Sequence, residues 1–394
     1  MKDRWRKIIP GILIMIVIVT TGADVYYPFP SENWRVRISR SFCWLVPTWC
    51  ANWPLEPRNQ YHHVLTTAGE FLEMNGSPGN PPIITFHTGL DIYDQFPAGA
   101  AGGTPPFVLT KDAGVVTELQ QASCYEKCMV ETLTPSGQRQ SYSHWDSGTL
   151  SQEIRDAHAN GTSLAAGTRV AQLVRWPACE YHHLHFEVCS DSDKSCQDPL
   201  PGLYPREGTN ELQIGNIYFK TNDAASTPIA FHGAAPTVSG QVDIVVEAAD
   251  LQAELRRNGM RVKGPTGIQA IGYEILDAAG TTVLKPMSII DFSHVRNPAY
   301  FDEDVEPSRA VVLFQDSTDD YCNGKRFNYV ITNVRCEDPN GCRTVLNDAM
   351  NNKFDLSHSW NTRAYSNGTY TVKVTIWDHA SNSISANRSV SVAN

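Results

Sequence analysis

The amino-acid sequence predicts a mostly β chain with two folded domains, an antiparallel-sheet domain followed by a β-sandwich. The first observation is length, because 394 residues, 41% hydrophobic and 19% charged, exceed one ordinary domain. The second is a period-two alternation of apolar side chains, at residues 183–188 in the first half and 370–376 in the second. The third is a stretch of small residues with Pro228, Gly233 and Pro236, which predicts a linker over residues 222–236.

The amino terminus is typical of an export signal. A basic region at residues 2–7 precedes an apolar run from Ile8 to Val19, and small residues follow it up to Ala23. This run is shorter than the ~20 residues that span a bilayer comfortably. We therefore predict a signal peptide over residues 1–23 and an exported protein, periplasmic or extracellular. The alternative is that residues 8–22 are retained and anchor the chain in the inner membrane.

Ten cysteines agree with export, because disulfides persist in oxidising compartments. The expected disulfides join cysteines that are close in sequence: Cys43 with Cys50, Cys124 with Cys128, and Cys189 with Cys196. The first pair falls in residues 24–69, a stretch rich in Trp and Pro that we expect to be an irregular, disulfide-containing lead-in. His62 and His63, near its end, are expected at the surface.

The run from His183 to Val188 is the most informative motif. Side chains alternate along a β-strand, so His183, His185 and Glu187 share one face while the apolar residues between them share the other. This arrangement favours a strand that directs imidazoles at a metal. A half-buried strand whose histidines merely face solvent is the alternative. His182 points away on the same alternation, and we expect it to be a structural or surface histidine.

Further candidate ligands lie upstream, in the run from His87 to Asp91. Gly89 carries no Cβ and isoleucines on both sides favour strands, so His87 and Asp91 can converge across a tight bend. With His185 they form a nitrogen and oxygen ligand set that suits one Zn²⁺ per chain. Three protein ligands leave a fourth position for water, as in catalytic zinc sites.

Two imidazoles stay outside this ligand set. They are His183 and His144, the latter in the run from Tyr142 to Trp145. Either one can accept a proton from water, donate one to a leaving amine, or stabilise the oxyanion of a tetrahedral intermediate.

In their order and spacing, these motifs resemble the lysostaphin-like (LytM-type) zinc metallopeptidases, which cut the peptide part of bacterial peptidoglycan. The resemblance spans roughly residues 70 to 215 and implies a zinc metallopeptidase domain over residues 70–221. It also implies that His87, Asp91 and His185 bind zinc and that His144 and His183 are the catalytic pair.

Residues 237–394 carry the alternation of an all-β domain and resemble the immunoglobulin-like β-sandwiches that are appended to bacterial surface enzymes. This segment follows the predicted linker and contributes no residue to the metal motif. We therefore expect it to fold as an independent unit.

The predicted function is that of a zinc-dependent metalloendopeptidase, a hydrolase that cleaves peptidoglycan stem peptides or cross-bridges through a zinc-activated water. The expected partners are the peptidoglycan peptide and, for the sandwich, a cell-envelope protein or the wall. A net charge of −10 argues against nucleic acid, and membrane contact is expected only through an uncleaved amino-terminal segment. Two alternatives remain: an exported non-enzymatic LytM-type regulator of a cell-wall amidase, and an adhesin-like binding protein.

Overall fold

The computed structural model describes the chain in fifteen stretches, separated by gaps. They are residues 52–74, 83–93, 105–121, 128–174, 183–190, 192, 195–204, 211–222, 235–257, 260–296, 313–314, 317–320, 324–336, 338–346 and 353–394. The chain divides into two compact units, residues 1–46 and residues 47–394, and the first unit lies outside these stretches. So do the predicted signal peptide and most of the predicted linker. Within the described stretches, no helix has the length and apolar character needed to cross a bilayer.

In the described part of the chain, thirteen strands, one α-helix and two 3₁₀ helices precede the predicted linker. The strands are β1 (His63–Thr66), β2 (Phe71–Met74), β3 (Ile83–Phe86), β4 (Leu90–Tyr93), β5 (Phe107–Leu109), β6 (Gly114–Gln120), β7 (Met129–Leu133), β8 (Gln138–Ser143), β9 (Ser163–Leu164), β10 (Arg169–Gln172), β11 (His183–Ser190), β12 (Ser195–Gln197) and β13 (Leu212–Thr221). The helix is α1 (Gln152–Asn160), and the 3₁₀ helices are Ser147–Thr149 and Leu200–Gly202.

Among the residues that the structure describes beyond the predicted linker, there are thirteen further strands and a 3₁₀ helix at Thr362–Ala364. They are β14 (Thr237–Val238), β15 (Gln241–Arg257), β16 (Met260–Thr266), β17 (Ala270–Leu276), β18 (Val283–Asp291), β19 (His294–Arg296), β20 (Thr318–Asp320), β21 (Gly324–Arg326), β22 (Asn328–Val330), β23 (Cys342–Val345), β24 (Trp360–Asn361), β25 (Gly368–Trp377) and β26 (Ser383–Val392). The prediction of a mostly β fold is confirmed.

The first half is built on an antiparallel sheet in the order β1-β4-β11-β8-β7-β6-β9, which β12 and β19 extend beyond β11. One face of this sheet is apolar: Leu184, Phe186 and Val188 of β11 are 0%, 0% and 3% exposed. They share one hydrophobic cluster with Val170 of β10 and Ile154 of α1. Because that face is filled by packing, the opposite face is left for the polar side chains of β11.

Among the described residues, two large sheets pack together in the second half, beside the separate pair β20-β21. One has the order β13-β15-β16 with β22 and β24 also on β15, and the other has the order β14-β26-β25-β17-β18-β23. Side chains from both sheets, such as Phe219 and Ile244 of the first and Ile271 and Val374 of the second, form one buried cluster. This is a β-sandwich. That it is specifically immunoglobulin-like stays a prediction, as do the domain boundaries.

Several contacts join the two halves. Strand β12 pairs with β19, so a strand from beyond the predicted linker belongs to the sheet of the first half. Strand β13, which precedes that linker, pairs with β15 of the sandwich. Asp198, after β12, accepts a hydrogen bond from Nδ1 of His379, at 2.5 Å, and both side chains are buried.

The structure corrects the expected exposure of His62 and His63, which are only 4% and 6% exposed. His62 packs against Trp53, with ring centroids 5.4 Å apart, and its Nε2 lies 3.1 Å from the Pro57 carbonyl oxygen. Burial lowers the pKa of His62 to about 4, so the ring enters the interior uncharged. His63 is paired within the sheet, opposite Tyr93 of β4.

Two disulfides are described, Cys189–Cys196 and Cys336–Cys342. The first was predicted and joins the paired strands β11 and β12. The second joins neighbours in sequence that had not been singled out. The predicted bridges Cys43–Cys50 and Cys124–Cys128 involve residues outside the described stretches.

Candidate metal centre and active site

Three neighbouring strands set the floor of the candidate site. Within the sheet, Asp91 of β4 lies opposite His185 of β11, and His185 lies opposite Ser143 of β8. Residues in one such row point to the same side of the sheet. The polar face of β11 therefore carries His183, His185 and Glu187, as strand alternation predicted.

His87 comes from the turn between β3 and β4, and Gly89 lets this turn lie directly on β11. A Cβ on Gly89 would fall 2.6 Å from the carbonyl oxygen of Phe186 and 2.8 Å from Cγ of Glu187. The sequence indicated a glycine for a tight bend, and the structure adds a second reason, the close approach of two backbones. This approach brings His87 over Asp91 and His185.

The three predicted ligands converge on one point. Nδ1 of His185 lies 3.0 Å from Nε2 of His87 and 2.9 Å from Oδ1 of Asp91, and the remaining pair of atoms is 3.2 Å apart. Ligand atoms around a tetrahedral zinc, with bonds of about 2.0–2.1 Å, are separated by roughly 3.3 Å. His87 and Asp91 are 3% exposed. The spacing and chemistry of these three atoms fit a zinc ion.

The outer nitrogens of both histidines are already engaged. Nδ1 of His87 donates to the carbonyl oxygen of Thr67, at 3.2 Å, and Nε2 of His185 donates to Oε1 of Glu187, at 3.0 Å. Thr88 donates its hydroxyl to the same Glu187 oxygen. When both imidazoles are neutral, these acceptors place the proton on the outer nitrogen, so the two inner nitrogens present lone pairs. With Asp91 they then form three acceptors that face one another, a set suited to binding a cation.

The charges of the site also favour a cation. Burial opposes the ionisation of Asp91, yet the His87 and His183 imidazoles beside it hold the pKa of Asp91 well below its usual range. Burial also disfavours a charged His185, yet hydrogen bonds to Asp91 and Glu187 raise the pKa of His185 to about 10. The same contacts with His185 lower the pKa of Glu187 to about 2, against the effect of burial. His185 without a metal is therefore protonated and donates from Nδ1 to Asp91, and a cation held by the three ligand atoms would take the place of that proton.

The predicted catalytic imidazoles lie beside this group. The ring centroids of His144 and His183 are 4.7 Å apart, and those of His144 and His185 are 6.0 Å apart. His144 follows the end of β8 with a positive φ of 67°, and its carbonyl oxygen accepts a hydrogen bond from Val174. Burial lowers the pKa of His183, so this imidazole stays neutral and able to accept a proton.

All five predicted site residues are therefore gathered in one place, and their roles stay a prediction. The sequence reasoning placed Glu187 on the right face but did not assign it a role, although its position two residues after His185 on the strand was the available signal. The contribution of Thr67 is made through a backbone carbonyl, which no side-chain pattern reveals. His182 lies outside the described residues.

Comparison with known proteins gives structural likenesses only. No protein-family model and no curated protein matches the chain. Among solved structures, the catalytic domain of the antimicrobial peptidase lysostaphin from Staphylococcus simulans is 22% identical, over 39% of this chain and 94% of that one, with a TM-score of 0.24. A putative glycyl-glycine endopeptidase LytM from Ruminococcus gnavus is 15% identical, over 45% and 73%, with a TM-score of 0.24. The SpoIIQ–SpoIIIAH pore forming complex is 14% identical, over 39% and 90%, with a TM-score of 0.29. Because these identities and TM-scores are low, the functional proposal rests on the geometry of the site and not on these likenesses.

Proposed function

We propose that this chain is an exported zinc-dependent peptidase that hydrolyses peptide bonds of peptidoglycan. One observation carries the proposal: Nε2 of His87, Nδ1 of His185 and Oδ1 of Asp91 converge within 2.9–3.2 Å while the outer nitrogen of each imidazole donates elsewhere. Among the described residues the group has three ligands, which is the ligand number of a catalytic rather than a structural zinc.

The neighbouring imidazoles supply the proton chemistry. Zinc, when bound, acts as a Lewis acid that polarises a carbonyl and lowers the pKa of water. His183 is half-buried, and desolvation lowers its pKa, so the ring is neutral before the reaction and can accept the proton of the attacking water, while the nearby Asp91 favours the charged form that results. His144, with its ring 4.7 Å from that of His183, donates to the developing oxyanion or to the leaving amine. Glu187 holds His185 through Nε2 and would thereby leave Nδ1 available to bind the metal.

Two observations support the choice of compartment and substrate. The disulfides Cys189–Cys196 and Cys336–Cys342 are typical of an oxidising environment, which is where peptidoglycan is found. The order and spacing of the three motifs resemble those of the LytM-type peptidases. The partner of the sandwich is not specified by either observation.

The test is to incubate the purified protein with peptidoglycan and to identify released fragments by mass spectrometry. We expect peptide-bond cleavage by the parent, loss of cleavage with a chelator, and recovery on addition of zinc. Asp91→Ala should lose both zinc and cleavage, whereas His183→Ala should keep zinc and lose cleavage.

The matched control is His158→Ala, because His158 is an exposed histidine on α1. This variant should cleave like the parent. A zinc-loaded parent that releases no fragment would refute the peptidase and leave the non-enzymatic regulator as the better description. A parent that binds no zinc would refute the metal site.

A further inference from the structure

A turn at residues 67–70 holds His87 at three points. The Thr67 carbonyl oxygen accepts from Nδ1 of the imidazole, at 3.2 Å. The backbone N–H of Gly69 donates to the His87 carbonyl oxygen, and the backbone N–H of His87 donates to the Glu70 carbonyl oxygen, each at 2.8 Å. The position of this turn therefore sets both the backbone and the ring of the first zinc ligand.

The far side of the same turn is packed by residues from beyond the predicted linker. Gly69 has a φ of +79°, and a Cβ there would lie 2.7 Å from Cβ of Phe292. The backbone N–H of Gly267 donates to Oε2 of Glu70, at 2.8 Å. A Cβ on Gly267 would fall 2.7 Å from Oγ1 of Thr67. The turn is thus enclosed between His87 and the second half of the chain.

An ion pair closes this arrangement. Nζ of Lys325, on β21, lies 2.5 Å from Oε1 of Glu70, and the two side chains are 6% and 0% exposed. The same ammonium donates to the Leu65 carbonyl oxygen and to Oγ1 of Thr66, each at 2.8 Å. Its three donors are all directed at residues 65–70, while the other Glu70 oxygen accepts from the backbone N–H groups of Thr67 and Gly267.

A buried ion pair is sensitive to the loss of either partner. Removing one partner leaves the other charge without its main counter-ion in a medium where water cannot replace it, and the surrounding backbone moves to compensate. Here the backbone that would move is the turn that carries the Thr67 carbonyl. Lys325 is linked to His87 through Glu70, because the Glu70 side chain binds the ammonium and the Glu70 carbonyl oxygen accepts from the His87 N–H.

We propose that Glu70 and Lys325 are positioning residues for the zinc ligand His87, so that the second half of the chain is a structural part of the metal site. This proposal rests on the proposed zinc site. It runs against the expectation that the sandwich is an independent module, because Phe292, Gly267 and Lys325 all lie in the second half.

The test measures zinc affinity rather than catalysis. In the full chain, Lys325→Met should weaken zinc binding by at least about tenfold in a competition assay with a chromophoric chelator, the lower end of the cost of losing an outer-shell partner. The Co²⁺ form should show a changed visible spectrum, because that spectrum reports the geometry of the ligands. Gly267→Ala should have the same effect without leaving a buried charge, since its Cβ pushes on Thr67.

The matched control is Lys373→Met, which makes the same substitution in an ion pair inside the sandwich. Nζ of Lys373 on β25 lies 2.7 Å from Oε1 of Glu274 on β17, and this pair has no hydrogen bond to residues 65–70 or to Gly267 in the described structure. This variant should leave zinc affinity within about twofold of the parent. Zinc affinity and Co²⁺ spectra unchanged in folded Lys325→Met and Gly267→Ala would overturn the proposal. If Lys325→Met does not fold, Gly267→Ala decides. A parent that binds no zinc would refute the metal site, and the positioning role with it.

Discussion

At His144 the contribution of the imidazole, which we propose to be catalytic, can be separated from that of the backbone conformation. His144 has a φ of 67°, in the left-handed region, directly after the end of β8. A residue with a Cβ costs roughly 1–2 kcal/mol there, whereas glycine adopts the region freely. The informative perturbation is therefore a pair of variants, His144→Ala and His144→Gly, which both lack the ring and differ only in the backbone.

The expected difference in stability follows from two opposing contributions. Alanine retains the cost of the left-handed conformation, roughly 1–2 kcal/mol. Glycine removes that cost but loses more conformational entropy on folding, about 0.5–1 kcal/mol. We expect His144→Gly to be more stable than His144→Ala by about 0.5–1 kcal/mol. At Ser143, inside β8, the same pair of substitutions should give the reverse order, because extended backbone carries no such cost.

The assay is urea unfolding of the four variants, with and without zinc, alongside turnover on peptidoglycan fragments. Both His144 variants should keep zinc and lose turnover equally, by ~10²–10⁴-fold, the usual contribution of a positioned acid–base group. His144→Ala as stable as His144→Gly would show that the left-handed backbone is not enforced. Loss of zinc from both would make His144 a ligand rather than a catalyst.

The remaining predictions concern the metal, the turn beside it and the contact between the halves. A chelator should lower the unfolding temperature of the parent, since a ligand present at 100 times its Kd stabilises by ≈ 2.7 kcal/mol; calorimetry should show no such shift for Asp91→Ala, and a shift there would exclude this carboxylate as a ligand. Gly89→Ala should weaken zinc binding in the chelator competition, because its Cβ meets the carbonyl oxygen of Phe186 at 2.6 Å; unchanged affinity would mean that the turn does not need this close approach. Burial disfavours a charged His379, but Asp198 raises the pKa of His379 to about 9. Stability from this pair should be complete below pH ~6.5 and be lost as the pH rises through about 9; urea unfolding across pH 6–10 should show a steeper decline for the parent than for His379→Gln, and parallel profiles would refute the ion pair.

Local periodicity was sufficient to predict the parts of the site that lie on one strand or one turn. The alternation along β11 assigned His183, His185 and Glu187 to one face, and the spacing around Gly89 brought His87 to Asp91. Both patterns depend on backbone geometry that repeats over two to four residues. The bridge between Cys189 and Cys196 followed for the same reason, since those residues pair across adjacent strands.

The features that local periodicity could not predict depend on contacts between segments that are distant in sequence. The acceptor for His87 is a backbone carbonyl, at Thr67, and the ion pair behind it joins Glu70 to Lys325 across most of the chain. His62 was expected at the surface because its type is often exposed, but tertiary packing against Trp53 decided otherwise. Such contacts leave no pattern in the local sequence, so the role that we propose for the second half in the metal site could not be predicted from the sequence.

The pairing of β12 with β19 has a consequence for biosynthesis. Ser195 lies opposite Arg296 in this pair, so one edge of the sheet that carries the candidate site stays unpaired during synthesis until about a hundred further residues have been made. An uncovered strand edge recruits any other extended chain, including a second copy. A shortened protein that ends before β19 should therefore accumulate as aggregates, and exchanging the second half for a foreign module would leave the same edge uncovered.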